Sequence, residues 1–105
     1  MAGYANIPVK IKDPSAVLDY LFGWGPDPRS SRPAWLEDTE SITTHTITVP
    51  DGITLEQSEI TPDGKDVLVW LSGGTVGATY PVECHVVTSM SRTDTRRMNI
   101  FVQLR

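Results

Sequence analysis

The sequence has one cysteine, Cys84, and two histidines, His45 and His85. A single thiol cannot close an intramolecular disulfide, so we expect packing alone to hold the fold together, as in proteins made in a reducing compartment. Adjacent residues of a strand face opposite sides, which separates Cys84 from His85. A zinc site usually has three or four ligands, and these three side chains do not have the spacing of such a site. The sequence therefore predicts no metal site and no cofactor.

The chain also has no long apolar run and no net positive charge. No segment approaches the roughly 18 apolar residues of a membrane span, and residues 1–12 lack the cationic start and apolar stretch of an export signal. The formal net charge is -4, whereas generic nucleic-acid binding needs clustered lysine and arginine. We expect neither a membrane nor a nucleic acid as partner.

No segment has the pattern of a catalytic site. The stretch from Asp63 to Asp66 lacks the alternating oxygen ligands of a calcium loop, and Gly73-Gly74 is not followed by the signature of a phosphate-binding loop. No carboxylate lies in an apolar run that would move its pKa toward neutrality. We predict no catalytic residues and no enzymatic activity.

What the chain does contain is a series of β-favouring segments separated by turn residues such as Pro50-Asp51-Gly52. The predicted strands are residues 9–12, 17–22, 41–49, 53–60, 67–71, 78–87 and 97–104. About seven mostly antiparallel strands are typical of an all-β sandwich or barrel, here a single domain over residues 1–105. Residues 23–34 are too rich in glycine and proline for regular structure and are predicted to form a surface loop.

Alternation predicts which side chains of the C-terminal strands face the core. The even-numbered residues of 78–87 and of 98–104 point inward, on either side of a polar hairpin loop at 89–95. Cys84 belongs to this inward set and is predicted to be a small core residue and not a nucleophile. Residues 67–71 are apolar at every position, so we expect both faces of that strand to be covered, one of them by a neighbouring structure.

Two features are candidates for contact with a partner. Trp24 lies between two glycines and is either a lid on the core or an anchor for another protein. Eight acidic residues lie between Glu37 and Asp66, whereas arginines dominate the last hairpin. Opposite charge at two ends of a molecule can steer docking, although uneven charge also serves solubility alone. The candidate partner-binding residues are Trp24, Arg29, Arg32, Arg92, Arg96 and Arg97.

The order of several motifs is similar to that of a known family. These motifs are Lys12-Asp13-Pro14, Val17-Leu18-Asp19-Tyr20, Trp24, Trp35-Leu36, Ser41-Ile42 and the run from Val69 to Tyr80, Val-Trp-Leu-Ser-Gly-Gly-Thr-Val-Gly-Ala-Thr-Tyr. Over nearly the whole chain this order resembles the phage fibre-tail adaptor family, small structural proteins of tailed bacteriophages. One departure is the connection between Trp24 and Trp35, which is longer than the family's.

The resemblance implies an immunoglobulin-like β-sandwich and a non-enzymatic virion protein that joins the tail or neck to tail fibres. Its partners would be tail, neck or portal-side subunits and tail fibres, in multiple copies within a symmetric assembly formed in the bacterial host cytoplasm. It also implies a tyrosine corner at Tyr80, whose hydroxyl would bond to backbone just upstream. The residues expected to be structural are Trp35, Leu36, Trp70, Gly74, Gly77, Tyr80 and, from its position in the strand, Cys84.

Two alternatives remain at this stage. The same fold could serve as a capsid decoration or head-fibre module, which the sequence does not separate from a tail adaptor. A small carbohydrate-binding module, or a small hydrolase, would instead use Trp24 and Trp35 as a platform on which sugar rings stack.

Overall fold

The computed structural model describes residues 7–26 and 34–104. The predicted partner-binding residues Arg29 and Arg32 lie outside the described residues. Seven strands were found in the described part: β1 (Val9–Lys12), β2 (Leu18–Gly23), β3 (Ile42–Thr48), β4 (Ile53–Ile60), β5 (Asp66–Gly73), β6 (Thr79–Thr88) and β7 (Thr93–Val102). The all-β prediction is confirmed.

The strands form two sheets that pack against each other. The larger sheet has the order β1-β7-β6-β3 and the smaller one the order β2-β5-β4. All neighbours are antiparallel except β1 and β7, which run parallel. Because β1 pairs with β7, it does not extend the smaller sheet, and β2 is an edge strand of that sheet.

The core lies between the two sheets and follows the alternation of the sequence. Its residues are Phe22, Trp24, Leu36, Ile42, Ile53, Val67, Val69, Leu71, Tyr80, Val82, Cys84, Val86, Met98, Ile100 and Val102. Val82, Cys84 and Val86 are fully buried, and Met98 and Ile100 meet this set across the β6-β7 ladder. The inward face predicted for these strands is therefore confirmed, except at Leu104.

Strand β7 begins four residues earlier and ends two residues earlier than the predicted strand at 97–104. β7 begins at Thr93, because Thr93 and Thr95 already pair with Val87 and His85, so the predicted loop at 89–95 contracts to a tight turn. The strand ends at Val102, beyond which β6 offers no partner. Leu104 is therefore 74% exposed and does not reach the core.

Strand β5 is covered on one face only within the described chain. Val67, Val69 and Leu71 are fully buried against the larger sheet. Leu68 and Trp70 point away from it and are half-buried. The prediction that a neighbouring structure covers this second face is therefore not met by the chain's own described elements.

Candidate functional site

Three connections meet at one end of the sandwich, which we call the loop end: the chain between β2 and β3, the β4-β5 turn and the β6-β7 turn. Backbone hydrogen bonds join all three. Ile42 N donates to Gly64 O at 2.8 Å, and Ser89 N donates to Ser41 O at 2.8 Å. Because most of the described candidate residues lie here, this end decides which of them face a partner.

Trp24 is fully buried at the loop end. Its Nε1 donates to Asp94 Oδ2 at 2.8 Å, and its ring stacks on Phe22 with 6.4 Å between the centroids. The Asp66 carboxylate accepts the backbone N–H groups of Trp24 and Gly25 and so holds the segment in place. Trp24 is thus the lid on the core and not an exposed anchor, and residues 24–25 are not part of a surface loop.

Arg96 is engaged within the fold, contrary to the expectation that it faces a partner. It lies opposite Cys84 in the β6-β7 register, so its side chain starts on the inner face of the sheet. The guanidinium lies 5.2 Å from the centroid of the Trp24 ring, donates to Gly23 O and reaches Asp94 Oδ2 at 3.3 Å. These contacts hold the lid closed.

Arg92 is likewise committed to the fold, through a buried carboxylate that the sequence did not reveal. Glu40 is fully buried, and its carboxylate accepts hydrogen bonds from Arg92 Nε, at 2.9 Å, and from Nη2 of the same side chain. It also accepts the hydroxyl of Thr88 and the backbone N–H of Glu37. The Arg92 bonds, with the other hydrogen bonds, lower the pKa of Glu40 to about 2 despite its burial.

The acidic segment and the last hairpin do not form electrically opposite ends as predicted, because charges of both signs interleave at the loop end. Arg92 pairs with Glu40, and Arg97 Nε lies 2.9 Å from Glu83 Oε1. Lys65 Nζ donates to the backbone carbonyls of Glu37, Asp38 and Glu40, which tie the acidic segment to the β4-β5 turn. Of the described candidate arginines, Arg97 alone is largely exposed, with 53% of its side chain accessible.

The sugar-stacking platform is also excluded by the geometry. Trp24 is fully buried, so no ligand reaches its ring. The Arg92 guanidinium lies 4.1 Å from the centroid of the Trp35 ring and donates to Trp35 O at 3.0 Å. One face of Trp35 is therefore occupied by a cation of the chain itself, and the two tryptophans form no common surface.

The opposite end of the sandwich contains the predicted tyrosine corner. The Tyr80 hydroxyl accepts the backbone N–H of Thr75 at 2.9 Å, and hydrogen bonding by the side chain and the backbone of Thr75 lowers the pKa of Tyr80. Gly74 has a φ of 101°, and a Cβ there would lie 2.6 Å from Val102 Cγ2. Gly77 also has a positive φ, of 89°. The glycines and Tyr80 together fix the crossing from β5 to β6.

A buried lysine joins β1 to the same corner, and sequence reasoning did not find it. Lys12 is fully buried, and its Nζ donates to the backbone oxygens of Asp13 and Gly73, each at 2.8 Å. Desolvation lowers its pKa. Strand alternation does not predict this burial, because Lys12 has the same parity as the exposed Lys10 and the carbonyl of Gly73 comes from a distant strand.

The described residues offer little to covalent or metal chemistry. Burial raises the pKa of Cys84 to about 12, so the thiol stays protonated. Within residues 7–26 and 34–104, no group of three His, Cys, Asp or Glu side chains could hold a metal ion. A wide, open concavity beside the loop end, lined by residues including Leu36, Glu37, Thr39 and Met90, contains carboxylates and one hydroxyl but no thiol or imidazole. No helix in the described part is long and apolar enough to cross a membrane.

Residues 12–101 match the family of podophage GP4 fiber-tail adaptor protein gp77. The chain belongs to this family. The resemblance stated from the sequence motifs is thereby confirmed, and it covers all the strands except the first residues of β1 and the last residue of β7. As a fibre-tail adaptor, the protein is a structural component of the virion that interacts with other tail or virion proteins.

The fold comparison agrees with this assignment. The solution structure of the PKD domain from KIAA 1837 protein is similar, with a TM-score of 0.50 and 16% sequence identity, over 94% of this chain and 81% of that domain. This likeness concerns the fold alone, and it confirms the immunoglobulin-like β-sandwich. No curated protein matches the chain.

Proposed function

We propose that this fibre-tail adaptor works without catalysis and joins the tail or neck of a podophage to its tail fibres through protein–protein contacts. The family match over residues 12–101 carries the proposal. The side chains at the loop end support it, because Glu40, Arg92 and Arg96 are engaged in holding the fold and are not arranged around a space for a substrate.

The architecture suits an adaptor because it presents different surfaces to different neighbours. The loop end is cross-linked by Glu40, Arg92 and Lys65, and the opposite end by Lys12 and Tyr80. Edge strands such as β2 and β4 offer backbone groups to which a neighbouring strand can pair. In this proposal the chain acts as one rigid module, in multiple copies of a symmetric assembly formed in the host cytoplasm.

Cryo-electron microscopy of the virion, with and without a deletion of the gene for this protein, tests the proposal. We expect density for the sandwich between the tail or neck and the fibres, and deletion particles whose heads and tails form but which lack fibres. Density on the capsid shell, or fibres retained in the deletion particles, would contradict the proposal and would favour a decoration role.

A further inference from the structure

The outer face of the smaller sheet is apolar at its centre and acidic at its margin. We call it the acidic sheet face; its apolar residues are Leu21, Leu68 and Trp70, and its carboxylates are Asp19, Glu56 and Glu59. In the strand register Leu68 lies between Leu21 and Glu59, and Trp70 lies between Asp19 and Gln57. Glu56 is held on this face by a hydrogen bond from the Ser72 hydroxyl.

The apolar side chains at the centre of this face do not pack in the core of the sandwich. The core side of β5 is formed by Val67, Val69 and Leu71, whose side chains point the other way. A solvated face of an antiparallel sheet is ordinarily polar, whereas this one has a tryptophan in its central strand and Leu21 with 50% of its surface exposed. Tryptophan is among the residues most enriched where proteins bind one another.

The margin of this face has charges that no other described residue neutralises. Asp19 and Glu59 make no ion pair within the described chain, where the salt bridges are Arg92–Glu40, Arg96–Asp94 and Arg97–Glu83. Lys12 and Lys65 donate to backbone carbonyls instead. Of the described lysines and arginines, Lys10 alone makes no hydrogen bond or ion pair, and it lies on β1 in the other sheet. Within residues 7–26 and 34–104, no lysine or arginine is therefore available to neutralise this face.

The described part of a second copy is a poor source of such cations. Two acidic sheet faces brought together would place Asp19 and Glu59 against like charges, which disfavours a symmetric pair. The larger sheet offers Lys10, a single cation on its edge strand, and Arg97, whose side chain already lies 2.9 Å from Glu83. The charges thus favour a different protein with basic side chains of its own.

We propose that the acidic sheet face binds a neighbouring virion protein whose contact surface has an apolar centre with lysine or arginine side chains around it. This inference rests on the proposed function and names the chemistry of one of its partners. A face of three strands covers on the order of 300 Å², well below the roughly 800 Å² per partner of a stable interface. Single contacts would therefore be weak, and several copies held in one particle would strengthen them through avidity.

Charge reversal on particles assembled without this protein tests the inference. Purified protein is added back, and the bound fraction is measured by sedimentation over a range of ionic strength. Asp19→Lys with Glu59→Lys is compared with Asp38→Lys with Asp51→Lys, which changes the net charge equally at exposed residues elsewhere. We expect the Asp19→Lys, Glu59→Lys protein to bind about tenfold more weakly than wild type and the control pair to bind nearly as well as wild type. Binding of the wild-type protein should weaken as ionic strength rises, and this salt dependence should be smaller for the first pair.

The apolar centre has its own matched variants. Leu21→Ser is compared with Val9→Ser, another exposed aliphatic residue, 59% exposed, on an edge strand of the other sheet. We expect Leu21→Ser to bind the particles several-fold more weakly than wild type and Val9→Ser to bind them as well as wild type. In hydroxyl-radical footprinting of the wild-type protein, binding to the particle should protect Trp70 and Leu21 from oxidation and leave Val9 reactive. Thermal unfolding near the wild-type temperature shows that each variant is folded.

The possible outcomes separate the inference from the proposed function. If the wild-type protein does not bind the particles at all, the adaptor proposal fails. If it binds but the face variants bind equally well, or Trp70 stays reactive, the adaptor role stands and the acidic sheet face is not its docking site. Concentration-dependent self-association that the face variants abolish would also overturn the inference, because the occupant would then be a second copy.

Discussion

Truncation of Trp24 distinguishes a lid on the core from an anchor for a partner. The side chain is fully buried, and about 200 Å² of buried aromatic surface at about 25 cal/mol per Å² amounts to about 5 kcal/mol. Core Trp→Ala substitutions usually cost about 3–5 kcal/mol. We therefore expect Trp24→Ala to lower the free energy of unfolding by about 4 kcal/mol. A domain of this length loses about 4.5 °C of Tm per kcal/mol, so Tm should fall by about 18 °C.

The assay is thermal and urea unfolding of the purified protein, followed by circular dichroism. Trp24→Phe keeps most of the ring while removing the Nε1–H that Asp94 accepts, and we expect a smaller loss of about 1–2 kcal/mol. Trp70→Ala is the comparison on the outer face, where the side chain is less completely covered and a smaller loss of about 2–3 kcal/mol is expected. A Trp24→Ala protein that unfolds at the wild-type temperature would refute the reasoning, since the side chain could not then be filling the core.

Three further predictions concern groups buried within the fold. Tyr80→Phe leaves the Thr75 N–H without its partner and should cost about 1–2 kcal/mol in urea unfolding; no change would mean that the tyrosine corner contributes nothing. Because the Arg92 hydrogen bonds hold the folded-state pKa of Glu40 near 2, its contribution to stability should be complete above about pH 4.5 and lost as pH falls toward 2. Glu40→Gln should flatten that pH dependence, and a wild-type curve retained in this variant would assign the effect to other carboxylates. The Cys84 thiol should resist a thiol reagent in the native protein and react promptly in urea, whereas fast native labelling would show that the strand opens readily.

Two arginines of the last hairpin make contacts within the fold, and this changes how mutations there should be interpreted. Arg92 and Arg96 each contact a buried or half-buried aromatic ring and a backbone carbonyl, so charge reversal at either would weaken folding and assembly together. Arg97, more than half exposed, can be reversed with less effect on the fold. A salt-sensitive assembly defect is therefore informative about docking at Arg97, but not at the other two.

Much of the fold could be predicted from the sequence, because strand alternation is a local property. Side chains at every second position share a face whatever the rest of the chain does, which placed Tyr80, Val82, Cys84 and Val86 together. Turn chemistry is local as well, and the Pro-Asp-Gly segment marked the β3-β4 connection correctly. The motif order sufficed to indicate the family over residues 12–101.

The burial of individual polar and aromatic groups was decided by the tertiary structure alone. Glu40 and Lys12 look like ordinary surface residues in the sequence, and their partners Arg92 and Gly73 lie 52 and 61 positions away. Trp24 was ambiguous for the same reason, since its lid position depends on Asp66 and Asp94 from other strands. Local sequence determines to which face of its own strand a side chain points. The residues that this side chain then contacts depend on how distant strands pack together.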